Sequence, residues 1–295
     1  MLIKIGTRGS ELAVIQAMEA KESLLSHFPN LNIEIVTIKT SGDKNTNVAL
    51  SSIGGKGLFT LEIENALLSQ NIDIAVHSLK DVPAFFAQGL TIPCILKRCS
   101  PYDAFVSHKY QNILSLPYGA TIATSAIRRK VQLQKLRPDL NIMPMHGNVT
   151  TRLKKLEQFD GTILAEAGLI RLQKHNFTKE VLPTKKMLPS VGQGTICLQC
   201  SADNTKVIEM LEAINHKATF MQIKAERSFM RTINGSCFTP LAALAEYQGE
   251  NQLYLRCMLA DEQGKNVHFT ERLSHVEDAE KIGIDAGLEL KAKIY

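Results

Sequence analysis

Short apolar segments alternate with longer amphipathic segments through most of the chain. Residues 2–5, 32–38 and 72–76 are rich in Ile and Val, a composition typical of buried strands. Residues 205–214 instead place apolar side chains three or four positions apart, which indicates one face of a helix. Strands and helices that alternate in this way predict α/β domains.

The same pattern predicts elements along the rest of the chain. The predicted strands are 2–5, 32–38, 72–76, 91–97, 119–123, 140–145, 162–165, 195–200, 241–247, 252–260 and 266–273. The predicted helices include 58–68, 205–214, 218–233 and 277–291, and one that Ser10 caps, with Leu12, Ile15, Met18 and Leu25 on one face. The last three strands and the last helix form a small α+β unit.

We expect the chain to pass between two α/β lobes twice, first near residues 96–100 and again near residue 194. Two crossovers between lobes are typical of a hinge. The sequence therefore predicts three domains, which consist of residues 1–96 with 194–215, residues 97–193, and residues 216–295.

Composition narrows the class of protein. An apolar content of 44% and a charged content of 21% are typical of a soluble globular protein. The N-terminus has no signal-peptide pattern and no apolar run has the length of a membrane span, so we expect a cytoplasmic protein with no membrane partner. The net charge of +5 is modest and no basic run is interleaved with aromatic residues, so nucleic acid is not an expected partner. Cys197 and Cys200 form a single CxxC pair, which is weak support for zinc, and we expect no metal.

The densest group of polar residues follows the predicted strand at 72–76. His77, Ser78, Lys80 and Asp81 come within five positions, and Pro83 prevents a helix from starting there. The carboxyl ends of strands are where α/β proteins place their chemistry, and Asp81 is the acid of this group. A surface turn with a Lys80–Asp81 ion pair is the alternative interpretation.

Basic residues also follow several other strand ends. Arg8 lies between a strand and the start of a helix, where backbone N–H groups and a guanidinium together suit a carboxylate. Arg128 and Arg129 lie in the first turn of a helix that Thr124 or Ser125 can cap, although the helix dipole disfavours cations there. The pattern therefore predicts an anionic ligand in a cleft, and solvated basic faces are the alternative.

Two further segments carry candidate chemistry. Residues 42–57 have no periodicity and contain Lys56 among glycines, which is typical of a lid or binding loop. Cys237 lies in a Gly/Ser/Pro-containing turn, where a thiol can be a nucleophile or an attachment point. A structural thiol is the other interpretation of Cys237.

Taken in order, these motifs resemble the hydroxymethylbilane synthase, or porphobilinogen deaminase, family over essentially the whole chain. The matching motifs are Gly54–Phe59, His77–Pro83, Asp103–Val106, Arg128–Arg129, Val191–Gly194 and Cys237. The resemblance implies three domains, of which the first two are like a type II periplasmic binding protein clamshell and the third is small and α+β. It implies a transferase that condenses four porphobilinogen molecules, with loss of ammonia, and releases a linear tetrapyrrole by hydrolysis.

The resemblance also assigns roles to individual residues. Asp81 matches the catalytic carboxylate, which stabilises the positive charge that develops on a pyrrole. Cys237 matches the residue that carries a dipyrromethane cofactor through a thioether. The positions that match cofactor- and substrate-binding residues are Arg8, Ser10, Gln16, Lys56, Ser78, Lys80, Thr124, Ser125, Arg128, Arg129, His146, Gly147, Arg152 and Arg171.

Three positions depart from the family pattern. Ser52 stands where many relatives have a Lys, Ala126 where a second Ser is usual, and His146 where an Arg is usual. Each change removes a hydrogen bond or a permanent charge, so we expect an effect on substrate affinity more than on reaction type. Substrate carboxylates near His146 should raise its pKa, and burial should oppose that rise.

The expected protein is therefore a monomeric cytoplasmic enzyme that acts on porphobilinogen. A non-enzymatic clamshell that binds a small polyanion is the main alternative, and a nucleic-acid-binding protein is a second one. The presence of both Asp81 and Cys237 in the sequence favours the enzyme over the non-enzymatic binder.

We predict that Cys237→Ser folds but carries no covalent pyrrole and makes no product. The reason is that a hydroxyl is a far weaker nucleophile than a thiolate. Intact mass spectrometry, with peptide mapping, measures the two-pyrrole excess on the wild-type chain and on the variant. A full cofactor load on the Ser variant would contradict the assignment of Cys237.

Overall fold

The computed structural model describes residues 1–44, 57–236, 238–261 and 263–294. The chain divides into two compact units. Unit 1 contains Met1–Cys99 and Thr195–Phe220, and unit 2 contains Ser100–Gly194 and Met221–Tyr295. The predicted division into three domains, with separate second and third domains, stays a prediction.

Unit 1 is built from a five-stranded sheet and α-helices. Its strands are β1 (Leu2–Arg8), β2 (Asn32–Ile38), β3 (Ile74–Ser78), β4 (Leu90–Ile95) and β10 (Ile196–Ser201), numbered along the whole chain. Its helices are α1 (Glu11–His27), the short α2 (Ser41–Lys44), α3 (Leu61–Leu68) and α7 (Thr205–Ala213). The predicted helix at 58–68 therefore begins later, at Leu61, after a turn in which Gly57 has a φ of 83°.

The strand order of this sheet is β2-β1-β3-β10-β4. β1 pairs in parallel with β2 and β3, whereas β10 is antiparallel to both β3 and β4. The ends of β1 and β3 therefore lie at the same edge of the sheet, which brings Arg8 and the residues after Ser78 to that edge.

Helix α1 packs through a different face from the predicted one. Its buried residues are Ala13, Gln16, Ala17, Ala20 and Leu24, whereas Met18 is 43% exposed. Alanine side chains allow a helix to approach the sheet closely, and the core beneath them contains Ile3, Ile5 and Ile74. The prediction that Ser10 caps this helix is confirmed, because the Ser10 hydroxyl accepts a hydrogen bond from Ala13 N.

Unit 2 contains a second five-stranded sheet, in the order β7-β6-β8-β5-β9. Its strands are β5 (Asp103–Val106), β6 (Thr121–Ala123), β7 (Asn141–Met143), β8 (Gly161–Ala165) and β9 (Thr178–Leu182). The helices that follow β6, β7 and β8 are α4 (Ile127–Leu136), α5 (Val149–Lys154) and α6 (Glu166–Arg171). β6, β7 and β8 are parallel and β5 is antiparallel to its neighbours, so this sheet repeats the topology of the first.

The C-terminal part of unit 2 has a three-stranded antiparallel sheet. Its strands are β11 (Leu241–Gln248), β12 (Gln252–Ala260) and β13 (Val267–His275), and its helices are α8 (Lys217–Ile233), which starts in unit 1, and α9 (Ala279–Ile294). The predicted α/β class with a small α+β portion is thereby confirmed. No helix in the described parts of the chain is long and apolar enough to span a membrane.

Gly283 provides a test of how α9 packs on α8. A Cβ at this position would lie 2.3 Å from Ala225 O and 2.9 Å from Phe229 N, which are backbone atoms that cannot easily move. We therefore predict that Gly283→Ala destabilises the protein by about 1–3 kcal/mol, as overpacking does. Urea unfolding measures this loss, with Gly9→Ala as the control because a Cβ at Gly9 would have no atom within 4 Å. Equal stability of the two variants would contradict this account.

Candidate active site

The predicted polar group at residues 77–81 lies at the end of β3. Residues Leu79–Asp81 form a single 3₁₀ turn, and Leu79 N donates to Thr195 O at 3.0 Å, which holds the turn against the chain that leads into β10. Val82 has extended geometry, which is usual for a residue before a proline. Lys80 and Asp81 are half-buried while Leu79 between Ser78 and Lys80 is buried, so the turn is anchored by its apolar side chain.

Two of the predicted binding residues contact each other in unit 1. The Ser78 hydroxyl donates to Gln16 Oε1 at 2.9 Å. Gln16 lies on α1, one and a half turns after the Ser10 cap, and is buried. This bond connects the start of α1 to the end of β3.

Arg8, at the end of β1, forms an ion pair with Asp43 of α2. Nη2 lies 2.5 Å from Asp43 Oδ1, and the guanidinium lies 4.2 Å from the centroid of the Phe59 ring. Burial would raise the pKa of Asp43, but its bonds to Arg8 and Thr40 and the charge of Arg8 hold that pKa below its usual range. Asp43 is not among the site residues predicted from the sequence, although it closes the Thr40–Asp43 segment that follows β2.

A buried polar chain runs behind the turn that carries Asp81. His77 Nε2 lies 3.1 Å from Gln199 Oε1, and Gln199 Nε2 donates to Glu64 Oε1 at 3.3 Å. Burial lowers the pKa of His77 to about 4, against opposing effects of the Gln199 bond and the charge of Asp81. The charge of Arg8 also contributes to this lowering of the pKa. His77 is therefore a neutral histidine, close enough to Asp81 and Arg8 to respond to both charges.

In unit 2, the start of α4 differs from the prediction. The residue at the N-cap position is Ala126, which has no side chain able to cap, so the expectation that Thr124 or Ser125 caps this helix is wrong. Thr124 Oγ1 accepts from Ala126 N at 3.2 Å, outside the helix. The Ser125 hydroxyl instead donates to Met145 O at 2.9 Å and accepts from Met145 N at 3.0 Å. These bonds join the end of β6 to the segment after β7.

Arg128 and Arg129 both bind Asp103, the first residue of β5. Arg128 Nη1 lies 2.7 Å from Asp103 Oδ2, and Arg129 Nη2 lies 2.7 Å from Oδ1. Arg128 Nη1 also donates to Leu188 O, and Arg129 Nη1 donates to Ile163 O. The chain therefore supplies an anion of its own for the two cations in the first turn of α4.

Asp103 is fully buried, which would raise its pKa, but the charges of Arg128 and Arg129 outweigh burial and hold the pKa far below its usual range. Gln193 Nε2 adds a further bond to Oδ1 at 3.0 Å and also donates to Pro101 O. With two cations and one anion, the cluster keeps one net positive charge. Sequence reasoning missed Asp103 as a site residue, although it begins the Asp103–Val106 motif.

His146 and Gly147 lie between β7 and α5, and Arg152 lies within α5. Arg152 Nε donates to Gly147 O at 2.7 Å, and the Ser125 hydroxyl lies 3.4 Å from the His146 ring. Gly147 has a φ of 117°, and a Cβ there would lie 2.8 Å from Thr151 Cγ2, so this position requires glycine. Burial and the charges of Arg152 and Lys155 lower the pKa of His146 in the ligand-free chain.

Three predicted residues remain, and the structure describes one of them. Arg171, at the end of α6, donates to Gly194 O at 3.3 Å. Lys56, with Ser52, and Cys237 lie outside the described residues. Of the residues near position 237, Thr239 N donates to Ser236 O and Ser236 N donates to Thr239 Oγ1, both at 3.0 Å.

Three of the other cysteines are buried in strands of unit 1. Cys197 and Cys200 are buried within β10, and burial raises the pKa of Cys200 to about 11. Burial also raises the pKa of Cys94 to about 12. Among the described residues no group of three or more His, Cys, Asp or Glu side chains could hold a metal ion.

Comparison with known proteins identifies close relatives. A family model described as porphobilinogen deaminase, dipyromethane cofactor binding domain, matches residues 3–209, and one for the C-terminal domain of porphobilinogen deaminase matches residues 220–292. The porphobilinogen deaminase of Wolbachia sp. subsp. Drosophila simulans (strain wRi) is 69% identical over 293 residues, 99% of each chain. That of Ehrlichia canis (strain Jake) is 54% identical over 100% of this chain and 99% of its own. The crystal structure of the methionine binding protein MetQ aligns with 72% of this chain and 89% of its own, at 15% identity and a TM-score of 0.47.

The low pKa of His77 predicts a pH-dependent stability. Between its ordinary pKa of 6.5 and about 4, the unfolded chain binds a proton that the folded chain does not, so stability falls as the pH falls through this window. A shift of this size corresponds to about 3 kcal/mol. We predict that His77→Gln flattens the change in unfolding free energy between these two pH values, as measured by urea unfolding. Exposed His27→Gln is the control, and curves for His77→Gln and wild type that run parallel would refute the prediction.

Proposed function

The chain belongs to the porphobilinogen deaminase family, and we propose that Asp81 is the catalytic carboxylate of its active site. The protein is a transferase that condenses four porphobilinogen molecules, with loss of ammonia, and releases a linear tetrapyrrole by hydrolysis. The observation that supports the role of Asp81 is its position. It lies in the turn after the buried strand β3, and its charge and that of Arg8 both act on His77.

The family carries a dipyromethane cofactor, and the side chains of unit 1 fit such a group. Asp81 can accept hydrogen bonds from pyrrole N–H groups, while Arg8 and Lys80 can pair with carboxylates. When bound, the cofactor is the primer to which the substrate units are joined. We propose that Cys237 holds it through a thioether, with Ser10, Gln16, Lys56 and Ser78 among the residues that bind cofactor or substrate.

Asp81 has two tasks in the proposed reaction. Loss of ammonia leaves porphobilinogen with a positive charge, which a carboxylate near the pyrrole N–H stabilises electrostatically. The same carboxylate oxygen can accept a proton from the pyrrole and return it. The buried neutral His77 behind the turn leaves Asp81 as the anion of this group, since a protonated His77 would compensate part of its charge.

The second set of proposed binding residues lies in unit 2. It consists of Thr124, Ser125, Arg128, Arg129, His146, Gly147, Arg152 and Arg171. Their supply of cations and hydroxyls suits the acetate and propionate groups of porphobilinogen. Asp103 reduces the net charge of the Arg128–Arg129 pair and fixes both guanidiniums, so this pair is rigid before any ligand binds.

We further propose that the chain acts in the cytoplasm as a monomer. The thiols of Cys94, Cys99, Cys200 and Cys257 are free, which suits a reducing compartment. Sedimentation of the purified protein measures the oligomeric state, and a stable dimer would contradict the second part of this proposal.

We predict that Asp81→Asn lowers the turnover of porphobilinogen by at least ~100-fold, because it removes a positioned group that carries charge and proton. The amide keeps the size of the side chain, so the fold should survive. Steady-state rates, with cofactor loading checked by intact mass, test this expectation. Exposed Asp203→Asn in the same unit is the matched control, and near-normal turnover in Asp81→Asn would move the catalytic role to another residue.

A further inference from the structure

Arg8 is held by Asp43 along one edge of its guanidinium. Nη2 donates to Asp43 Oδ1 at 2.5 Å, and Nε lies 3.4 Å from Oδ2. The carboxylate therefore meets the side edge of the guanidinium, formed by Nε and Nη2. This arrangement determines where the rest of the planar group points, because the five N–H bonds of an arginine have a fixed geometry.

Asp43 is itself held in place. Its Oδ2 accepts from Thr40 Oγ1 at 2.8 Å and from Thr40 N at 3.3 Å. The short helix α2 that contains it is anchored to the segment before α3, since Gly42 N donates to Leu58 O at 2.9 Å and Ser41 N donates to Glu62 Oε1 at 2.7 Å. Asp43 is therefore a fixed anion, and it restrains the long and otherwise flexible side chain of Arg8.

Phe59 covers one face of the same guanidinium. The ring centroid lies 4.2 Å from the Arg8 Cζ atom. The ring in turn lies against Gly42, where an added Cβ would be 2.2 Å from Phe59 Cε1. Edge and face contacts together leave Arg8 little freedom to rotate.

The opposite edge of the guanidinium, formed by Nη1 and Nη2, has a different environment. Within the part of the chain that the structure describes, Nη1 makes no hydrogen bond, and the Arg8 side chain is 23% exposed. This edge has the spacing that binds both oxygens of a carboxylate. An arginine fixed along one edge and open along the other is prepared for such a ligand before the ligand arrives.

We propose that Asp43 is a positioning residue, which holds Arg8 with its Nη1–Nη2 edge ready for a carboxylate of porphobilinogen. The inference rests on the proposed role of Arg8 in substrate binding and extends it to a residue that touches no substrate. Without Asp43, Arg8 would have to be ordered during binding, and that loss of conformational entropy would weaken affinity. The chemical step would be unaffected, since it depends on Asp81.

A competing role for Asp43 makes the opposite prediction. If Asp43 occupied the part of Arg8 that the substrate needs, its removal would strengthen binding. The side-edge geometry favours positioning, because Nη1 and the second hydrogen of Nη2 remain directed away from Asp43. The sign of the change in KM therefore distinguishes the two roles.

The experiment compares KM and kcat for porphobilinogen in holoenzyme of Asp43→Asn and wild type, with the two-pyrrole load on Cys237 measured by intact mass. We expect KM to rise by about three- to tenfold, the range for ordering one flexible side chain on binding. We expect kcat to change by less than about twofold, because only binding is altered. Asp43→Glu keeps the charge and should recover part of the loss, which a merely structural defect would not show.

Two further variants complete the design. Asp139→Asn removes the acid of the Arg137–Asp139 pair in unit 2, in which Arg137 Nη2 lies 2.7 Å from Asp139 Oδ2, and should leave KM unchanged. In an Arg8→Lys background, Asp43→Asn should add no further change, because no guanidinium edge remains to be directed. A KM that falls or stays constant in Asp43→Asn overturns the proposal. Cofactor loading and turnover of the wild type test the proposed function separately, so the two failures are distinguishable.

Discussion

The buried carboxylate of Asp103 joins three parts of unit 2, which are β5, α4 and the loop before β10. It binds Arg128 and Arg129 from α4 and Gln193 from the loop before β10. Two arginines could not be buried at the start of a helix without a counter-charge, because an unpaired buried charge costs several kcal/mol. One acid at the start of β5 removes that penalty and at the same time fixes the direction of both guanidiniums. The stability of the sheet and the readiness of its basic residues therefore depend on the same group.

In unit 1, polar partners also fix the direction of residues of the proposed site. Asp43 restrains Arg8, Gln16 binds Ser78, and Gln199 binds His77. Each of these polar groups follows a strand end or lies on the element that packs beside it, so the sheet edge provides both the anchor and the site. A rigid set of paired groups suits a reaction in which charge develops on the substrate, since prepared dipoles and charges need no reorganisation at that moment.

Much of the fold and part of the candidate site could be predicted from the sequence. Period and composition predicted all five strands of the sheet in unit 1, the antiparallel strands after Cys237, and three strands of the second five-stranded sheet, because burial on one or both faces selects Ile, Val and Leu at regular spacing. Two strands of that second sheet, β5 and β9, were not predicted. The polar group at His77–Asp81 could be located because four polar residues within five positions, and then Pro83, follow an apolar strand. The Ser10 cap was also visible, since capping is a local interaction between residues three positions apart.

The pairings of the site were decided only by the tertiary structure. Asp103 lies 25 residues before Arg128, and His77 lies 122 residues before Gln199, so no local pattern connects the partners. The prediction of the N-cap of α4 was wrong for a similar reason. The Ser125 hydroxyl donates to Met145 O, in the segment after the neighbouring strand β7, and does not cap its own helix. The buried face of α1 contains three alanines, and a pattern based on large apolar side chains does not identify such a face. The sequence by itself determined most of the elements, the strand ends that carry the predicted polar residues, and the residue types that carry the chemistry. The fold alone determined which anion faces which cation, because that choice depends on the distance between side chains brought together from distant parts of the chain.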